Sequence, residues 1–283
     1  MRIGSFEFNL RELAGSMGDF GTLLPLAIGY IAVCGMDPCG LLVAMGVANI
    51  VTGLVYRLPM PIEPMKVLAV VAIAQAWTPG KVLASGLVMG ASLSHPRLVL
   101  PDWRELWPAL RDGGLAQIPL TATNAVIATS ALITQYWPER RVTERQISLN
   151  MGLMNLVLPF FGGMPLCHGA GGLAGQYYFG ARTGGTNVIE GLIEIALGVF
   201  LAGSIASIFA AFPTAIVGAM MFLVGIELVK FARDLRFDRC ILPVAATVAG
   251  SVALNMAAGF GIGLAVHWVF CRRRRTGGAD APA

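Results

Sequence analysis

Two short stretches of this chain bring together residue types that can do chemistry. Within residues 162–171 fall Pro165, Cys167, His168 and the glycines Gly162, Gly163, Gly169 and Gly171. A second proline-punctuated run, LPMPIEPMK at 58–66, carries Glu63 and Lys66. Proline lacks an N–H and glycine lacks a Cβ, so at each run the backbone leaves the helical path and a helix restarts with free N–H groups. Such a terminus carries about half a positive charge and is worth about 0.3 to 1 kcal/mol to an anion when exposed, and up to about 2 when partly buried. Two facing termini make a site for a dianion without a full ion pair. His168 suits two readings equally, a donor or proton shuttle at such a site, or a satisfied buried histidine between helices. Cys167 beside His168 evokes a thiol nucleophile, but no Asp or Asn lies nearby in sequence to orient the base, which argues against an enzyme.

Ionisable groups inside apolar segments are costly and are functional candidates. Asp19 lies in the first apolar block, and Glu63 and Lys66 are spaced i, i+3, which also permits simple mutual neutralisation. Glu190 and Glu194 share a helix face at i, i+4, and Glu227 lies in a later block. A carboxylate in an anion site repels its substrate unless protonated, which would tie binding to proton uptake. Glu63, His168 and Asp19 are the proton-coupling candidates.

The elements that must position these residues are membrane spans. Hydrophobic residues make up 56% of the 283 and charged residues 13%, against about 25% charged in an average soluble domain. Apolar blocks near 14–34, 39–56, 60–77, 80–95, 115–135, 147–161, 165–181, 187–208, 210–230, 240–256 and 257–271 predict about eleven spans. No cleavable signal pattern opens the chain, because residues 1–12 carry Arg2, Arg11, Glu7 and Glu12 and lead straight into a span. Pairs such as Gly86 and Gly90 put small residues on one helix face and predict close helix packing. The five cysteines (Cys34, Cys39, Cys167, Cys240, Cys271) show no metal-ligand spacing, so neither metal nor cofactor is expected. Basic residues cluster between spans, at Arg140, Arg141 and Arg145, at Lys230, Arg233, Arg236 and Arg239, and at Arg272 to Arg275. They are read as cytoplasmic topology signals, with a cytoplasmic C-terminus that suits a bacterial inner membrane, and not as a nucleic-acid surface.

Residues 96–114 differ, holding Trp103 and Trp107 with prolines and charges. Trp103, Leu106, Trp107 and Leu110 recur at helical spacing, as in a short interfacial helix joining two halves. The two proline and glycine breaks fall at corresponding positions of those halves. Matched interruptions point to a transporter site at the midplane; the alternative is ordinary helix kinks.

The runs GDFGT at 18–22, PIEPMK at 61–66, NAVIA at 124–128, PLCHGAGGLAGQY at 165–177 and FGARTG at 179–184 resemble the molybdate transporters related to the sulfate permease (SulP) family. The resemblance implies an all-α polytopic fold of inverted repeats, seven plus seven helices in core and gate domains. It implies molybdate, or sulfate as its analogue, held at the half-helices that begin at the two breaks. The substrate-facing positions it implies are Asp19, Gly21, Thr22, Glu63, Pro64, Met65, Lys66, Asn124, Cys167, His168, Gly169 and Gly171. Relatives usually carry a neutral Gln where this chain has Glu63. The first-repeat gate helices look missing, which divides the chain into core helices at 1–95, the joint at 96–114, second core helices at 115–208, second gate helices at 209–271 and a basic tail at 272–283. Basic residues at both ends favour cytoplasmic termini, which an odd span count cannot satisfy. A miscounted crossing, insertion of one half against its charge bias, or a partner subunit such as a second copy each resolves this. The leading expectation is a secondary oxyanion transporter, with proton coupling. A membrane anion-binding or regulatory protein that has lost transport is the rival.

Overall fold

The computed structural model describes residues 1–88, 103–210, 219, 222, 226, 237–254 and 256–276. Most of the expected span at 210–230 with Glu227, the basic residues Lys230, Arg233 and Arg236, Gly90, residues 96–102 of the joint, and the tail beyond residue 276 lie outside these.

A hairpin of β1 (Arg2–Ile3) and β2 (Phe6–Glu7) leads into α1 (Leu10–Ser16), whose first N–H groups, on Arg11 and Glu12, are capped by Asn9. The expected first span is broken in two, because α1 ends before Gly18 and α2 (Phe20–Ala32) restarts at Asp19. The break follows from packing, since a Cβ on Gly18 would lie 2.5 Å from the backbone nitrogen of Gln176. Helix α3 (Pro38–Tyr56) is started by the Asp37 side chain on the Gly40 N–H at 2.7 Å. Then come the two-residue strand β3 (Glu63–Pro64), α4 (Lys66–Ala74) and α5 (Pro79–Val88).

Trp103 starts a helical run that continues to Tyr136: α6 (Trp103–Ala109), a π-helical turn (Leu110–Gly114), α7 (Leu115–Leu120), a longer π-helical stretch (Thr121–Ala128) and α8 (Thr129–Tyr136). The helix expected at the joint is present from Trp103, and it does not stop at Gly114. Pro108 and Pro119 lie inside this run and remove N–H donors, the kind of disturbance that π-helical turns accommodate. After α9 (Glu144–Val157), started by a Thr143–Gln146 capping box, a 3-10 turn (Leu158–Phe161) leads to β4 (Leu166–Cys167), α10 (Ala170–Phe179), α11 (Gly185–Ala210), α12 (Phe237–Ala253) and α13 (Met256–Thr276).

Helices α3 and α11 form a tight seam. A Cβ on Gly46 would lie 2.5 Å from the Gly191 carbonyl oxygen, and one on Gly53 would lie 2.7 Å from that of Gly184. Glycines seven residues apart, Gly46 and Gly53 on α3 and Gly191 on α11 with Gly184 just before it, thus let the two backbones touch in antiparallel register. Polarity is distributed inside out. Asn49, Thr52, Asn187, Glu190 and Glu194 are buried, while Val47, Val51, Leu54 and Val55 of α3 and Leu192, Val199 and Phe200 of α11 are exposed. Water does not tolerate such a surface, and a bilayer requires it. Among the described residues, Pro38–Tyr56, Arg104–Tyr136 and Gly185–Ile205 are helices long and apolar enough to cross a membrane, and Leu23–Ala32, Ile241–Ala253 and Ala258–Phe270 are shorter apolar helices. The protein is an integral membrane protein of several apolar helices.

Replacing Gly46 or Gly191 by Leu is expected to destabilise the fold by about 2 kcal/mol or more, read as a lower thermal unfolding midpoint in detergent, whereas Gly80→Ala, which meets nothing within 4 Å, leaves the midpoint in place.

Candidate functional site

The two chemistry-bearing breaks meet each other. Strands β3 and β4 pair antiparallel, Glu63 opposite Cys167 and Pro64 opposite Leu166, and the Met65 N–H donates to the Pro165 carbonyl at 3.0 Å. Each strand runs straight into a helix, α4 after Met65 and α10 after Gly169. The N-termini of α4 and α10 therefore start from one buried crossing.

Extended backbone leaves peptide groups that a helix would have satisfied, and two asparagines supply the partners. Asn187 of α11 accepts from the Met60 N–H at 2.8 Å and donates to the Met60 carbonyl at 2.6 Å. Asn155 of α9 does the same for Leu166, at 2.9 and 2.6 Å. One clamp therefore holds each break. Neither asparagine was singled out from sequence, and the signal available was an amide beside apolar residues within a helix.

Glu63 and Lys66 form a buried ion pair, as their spacing allows. The Glu63 carboxylate also lies against the first turn of α10, because a Cβ on Gly169 or Gly172 would collide with its oxygens. Those two glycines make the cradle. At the other half-helix, the Gln117 side-chain oxygen accepts from the N–H groups of Val67 and Leu68 at 3.1 and 3.2 Å, and its amide donates to Thr121. Gln117 is buried and was missed in the sequence, where it is one polar residue in an apolar run. The first turn of α4 thus holds a neutral amide oxygen and the first turn of α10 faces a carboxylate.

Other expected positions divide into those gathered here and those elsewhere. Asp19 opens α2, is buried, and interacts electrostatically with Glu63, Lys66 and Glu190. The Cys167 thiol is buried 4.0 Å from the Pro64 carbonyl. His168 is fully engaged: Nδ1 meets the Pro61 carbonyl at 3.0 Å and Nε2 meets the Asn150 amide nitrogen at 3.0 Å. A carbonyl only accepts and an amide nitrogen only donates, so these partners assign the proton to Nδ1 and leave neither nitrogen for a thiol or an anion. Of the two readings of His168, the geometry matches the satisfied buried histidine. Gly21 and Gly171 are exposed at the first turns of α2 and α10, and Thr22 lies in α2. Asn124 is buried in the π-helical stretch, and its side-chain oxygen has no hydrogen-bond partner. A cleft of about 240 Å³ adjoins the start of α4, lined by Met65, Thr121, Val126, Ser148 and Asn155 among others. Among the described residues, no group of three or more His, Cys, Asp or Glu side chains is arranged to hold a metal ion.

The paired half-helices sit in a lipid-adapted helical bundle of a membrane protein, and comparison with known proteins places the chain in a family. The chain matches the family described as "Molybdate transporter of MFS superfamily" over residues 11–95 and 109–228, and it belongs to that family. It is 39% identical over 163 residues to Molybdate transporter 1 of Arabidopsis thaliana, covering 57% of this chain and 35% of that protein. It is 38% identical over 211 residues to Molybdate transporter 1 of Chlamydomonas reinhardtii, covering 71% of this chain and 40% of that protein. Molybdate transporter 2 of Arabidopsis thaliana is 26% identical over 401 residues, covering 90% of this chain and 86% of that protein. The chain thus spans well under half the length of the first two relatives. The family match is interrupted between residues 95 and 109, at the joint read from the sequence.

Asn155→Leu and Asn187→Leu each strand one buried N–H and one carbonyl at a break, at about 1 to 3 kcal/mol per group. Each is expected to lower the unfolding midpoint in detergent clearly, and an unchanged midpoint would show that the breaks do not depend on the clamps.

Proposed function

We propose that this protein carries molybdate across a membrane as a secondary transporter, with sulfate as a weaker analogue, and that anion movement is coupled to protons. The antiparallel pairing of the two breaks carries this reading. It joins the starts of α4 and α10 at one crossing, where oriented N–H groups and Lys66 supply positive potential without a metal. Family membership supports the substrate, since the relatives are named for molybdate transport.

In this reading the anion takes over positions that internal oxygens hold here. It reaches the first turn of α4 through the cleft beside Met65 and Thr121, exchanging for the Gln117 oxygen on Val67 and Leu68. A dianion near Gly169 and Gly172 meets the Glu63 carboxylate, and protonation of Glu63 removes that repulsion. Asp19 adds a second carboxyl beside the same ion pair. Inverted repeats related to the sulfate permease plan, with the first gate shortened at the joint, form part of the proposal. So do a cytoplasmic basic tail, the inner membrane in a bacterial host, and a second copy restoring the missing scaffold. A second reading, anion binding without transport, is favoured by the interruption of the family match between residues 95 and 109, where the first gate is expected.

The test is uptake of labelled molybdate and sulfate into proteoliposomes with and without an inward proton gradient, using wild type beside Glu63→Gln. Wild type is expected to accumulate molybdate only with the gradient. Glu63→Gln should bind anion with little pH dependence and lose at least about tenfold of the gradient's effect, a change of about 1.4 kcal/mol. Binding without any uptake supports the second reading, and absence of binding removes both.

A further inference from the structure

Glu190 and Glu194 stand one turn apart on α11 and are 0% and 1% exposed. Each accepts one amide hydrogen bond, and the Asp19 carboxyl also stands within hydrogen-bond reach of Glu190. Gln176 Nε2 of α10 donates to Glu190 Oε2 at 3.0 Å, and Asn49 Nδ2 of α3 donates to Glu194 Oε2 at 2.9 Å. Glu190 Oε1 and Glu194 Oε1 have no hydrogen-bond partner, and neither does Oε1 of Gln176, a fully buried amide aimed at Glu190 by its other atom. Three buried acceptor atoms therefore meet no donor.

The groups facing the pair cannot supply one as charges. Asp19, at the start of α2, and Glu63, from β3, interact with Glu190, and Asp19 also interacts with Glu194. Lys66 of α4 is paired with Glu63. Glu12 of α1, which packs on the start of α11, is saturated by the N–H groups of Arg182 and Thr183 and by the Thr186 hydroxyl. A set of acceptors without donors is completed by protons, because a proton on a carboxyl oxygen converts that acceptor into an O–H donor. A proton needs no further ligands, which suits a pair this completely buried.

We propose that Glu190 and Glu194 form a proton-binding pair, adjoining the anion site but sharing no residue with it, at which the coupling proton of the transport reading above is loaded and released. In loading, one O–H bond forms on a carboxylate with a proton from water on one side; in release the same bond breaks to water on the other. The pair has a mechanical link to each half of the site. A protonated Glu190 can donate to Gln176 Oε1 where the ionised form accepts from Nε2, so its state is felt on α10. Asn49, which holds Glu194, accepts from Asn187 at 2.9 Å, and Asn187 clamps Met60 at the first break. Protonation at the pair thus biases both breaks at once.

Two measurements test this. Infrared difference spectra of the purified protein between acidic and alkaline buffer are expected to contain a protonated-carboxyl carbonyl band. That band should weaken in Glu190→Gln and in Glu194→Gln, weaken further in the double variant, and persist in Glu194→Asp, which keeps the carboxyl. In proteoliposomes, both Gln variants are expected to lose pH-gradient-driven molybdate accumulation at least tenfold, while their exchange of labelled for unlabelled molybdate at equal pH should keep only the pH dependence that Glu63 gives to binding. An unchanged band in the double variant overturns the proposal, as does wild-type accumulation driven by a sodium gradient in place of a proton gradient. If wild type shows the band and the variants lose it, yet wild type exchanges no molybdate, the proton pair stands and the transport reading falls.

Discussion

A peptide group that leaves a helix inside a bilayer finds no water to bond, and each unsatisfied group costs several kcal/mol. The whole central arrangement follows from how this chain meets that requirement at its two breaks. Strands of two residues pair with each other, and one asparagine amide closes the remaining N–H and carbonyl at Met60, another at Leu166. Because those partners come from α11 and α9, each break is tied to a helix outside itself. Two short helices can then begin in the interior with their N–H groups directed at one crossing.

The seam of α3 and α11 gives this crossing a rigid wall. Glycines at 46 and 191, and at 53 and 184, bring the backbones into contact, so polar side chains between them cannot be reached by lipid. Asn49, Asn187, Glu190 and Glu194 lie on the seam's inner side, and the apolar residues of both helices face outward. A soluble protein would reverse that order. The buried acidic groups are consequently continuous with the site: Asp19, Glu63, Glu190 and Glu194 interact among themselves, and Lys66 is the cation in their midst. Their shared location links the chemistry of anion binding to that of proton exchange.

Much of this was legible in the sequence because its signals are local. Proline and glycine marked both breaks, the i, i+3 spacing foretold the Glu63–Lys66 pair, and block hydropathy identified the membrane as solvent. What was not legible depends on distant partners. Nothing in residues 162–172 says that Glu63 leans on Gly169 and Gly172, and nothing in an LAQIPL run says that Gln117 caps α4. His168 had two readings, and only its spatial neighbours Pro61 and Asn150 distinguish them. The first span was expected unbroken because hydropathy does not register the contact of Gly18 with α10. The helical run from Trp103 to Tyr136 was divided at Gly114 because charges and prolines read as an interruption, whereas π-helical turns carry the helix through them.

The central claim is that the anion binds where the two breaks cross. The direct measurement is a structure of the protein with molybdate, locating molybdenum by its anomalous scattering. The account predicts the metal atom beside the first turns of α4 and α10, with Gln117 turned away from Val67 and Leu68. Molybdenum bound elsewhere, with Gln117 still on those two N–H groups, would contradict it.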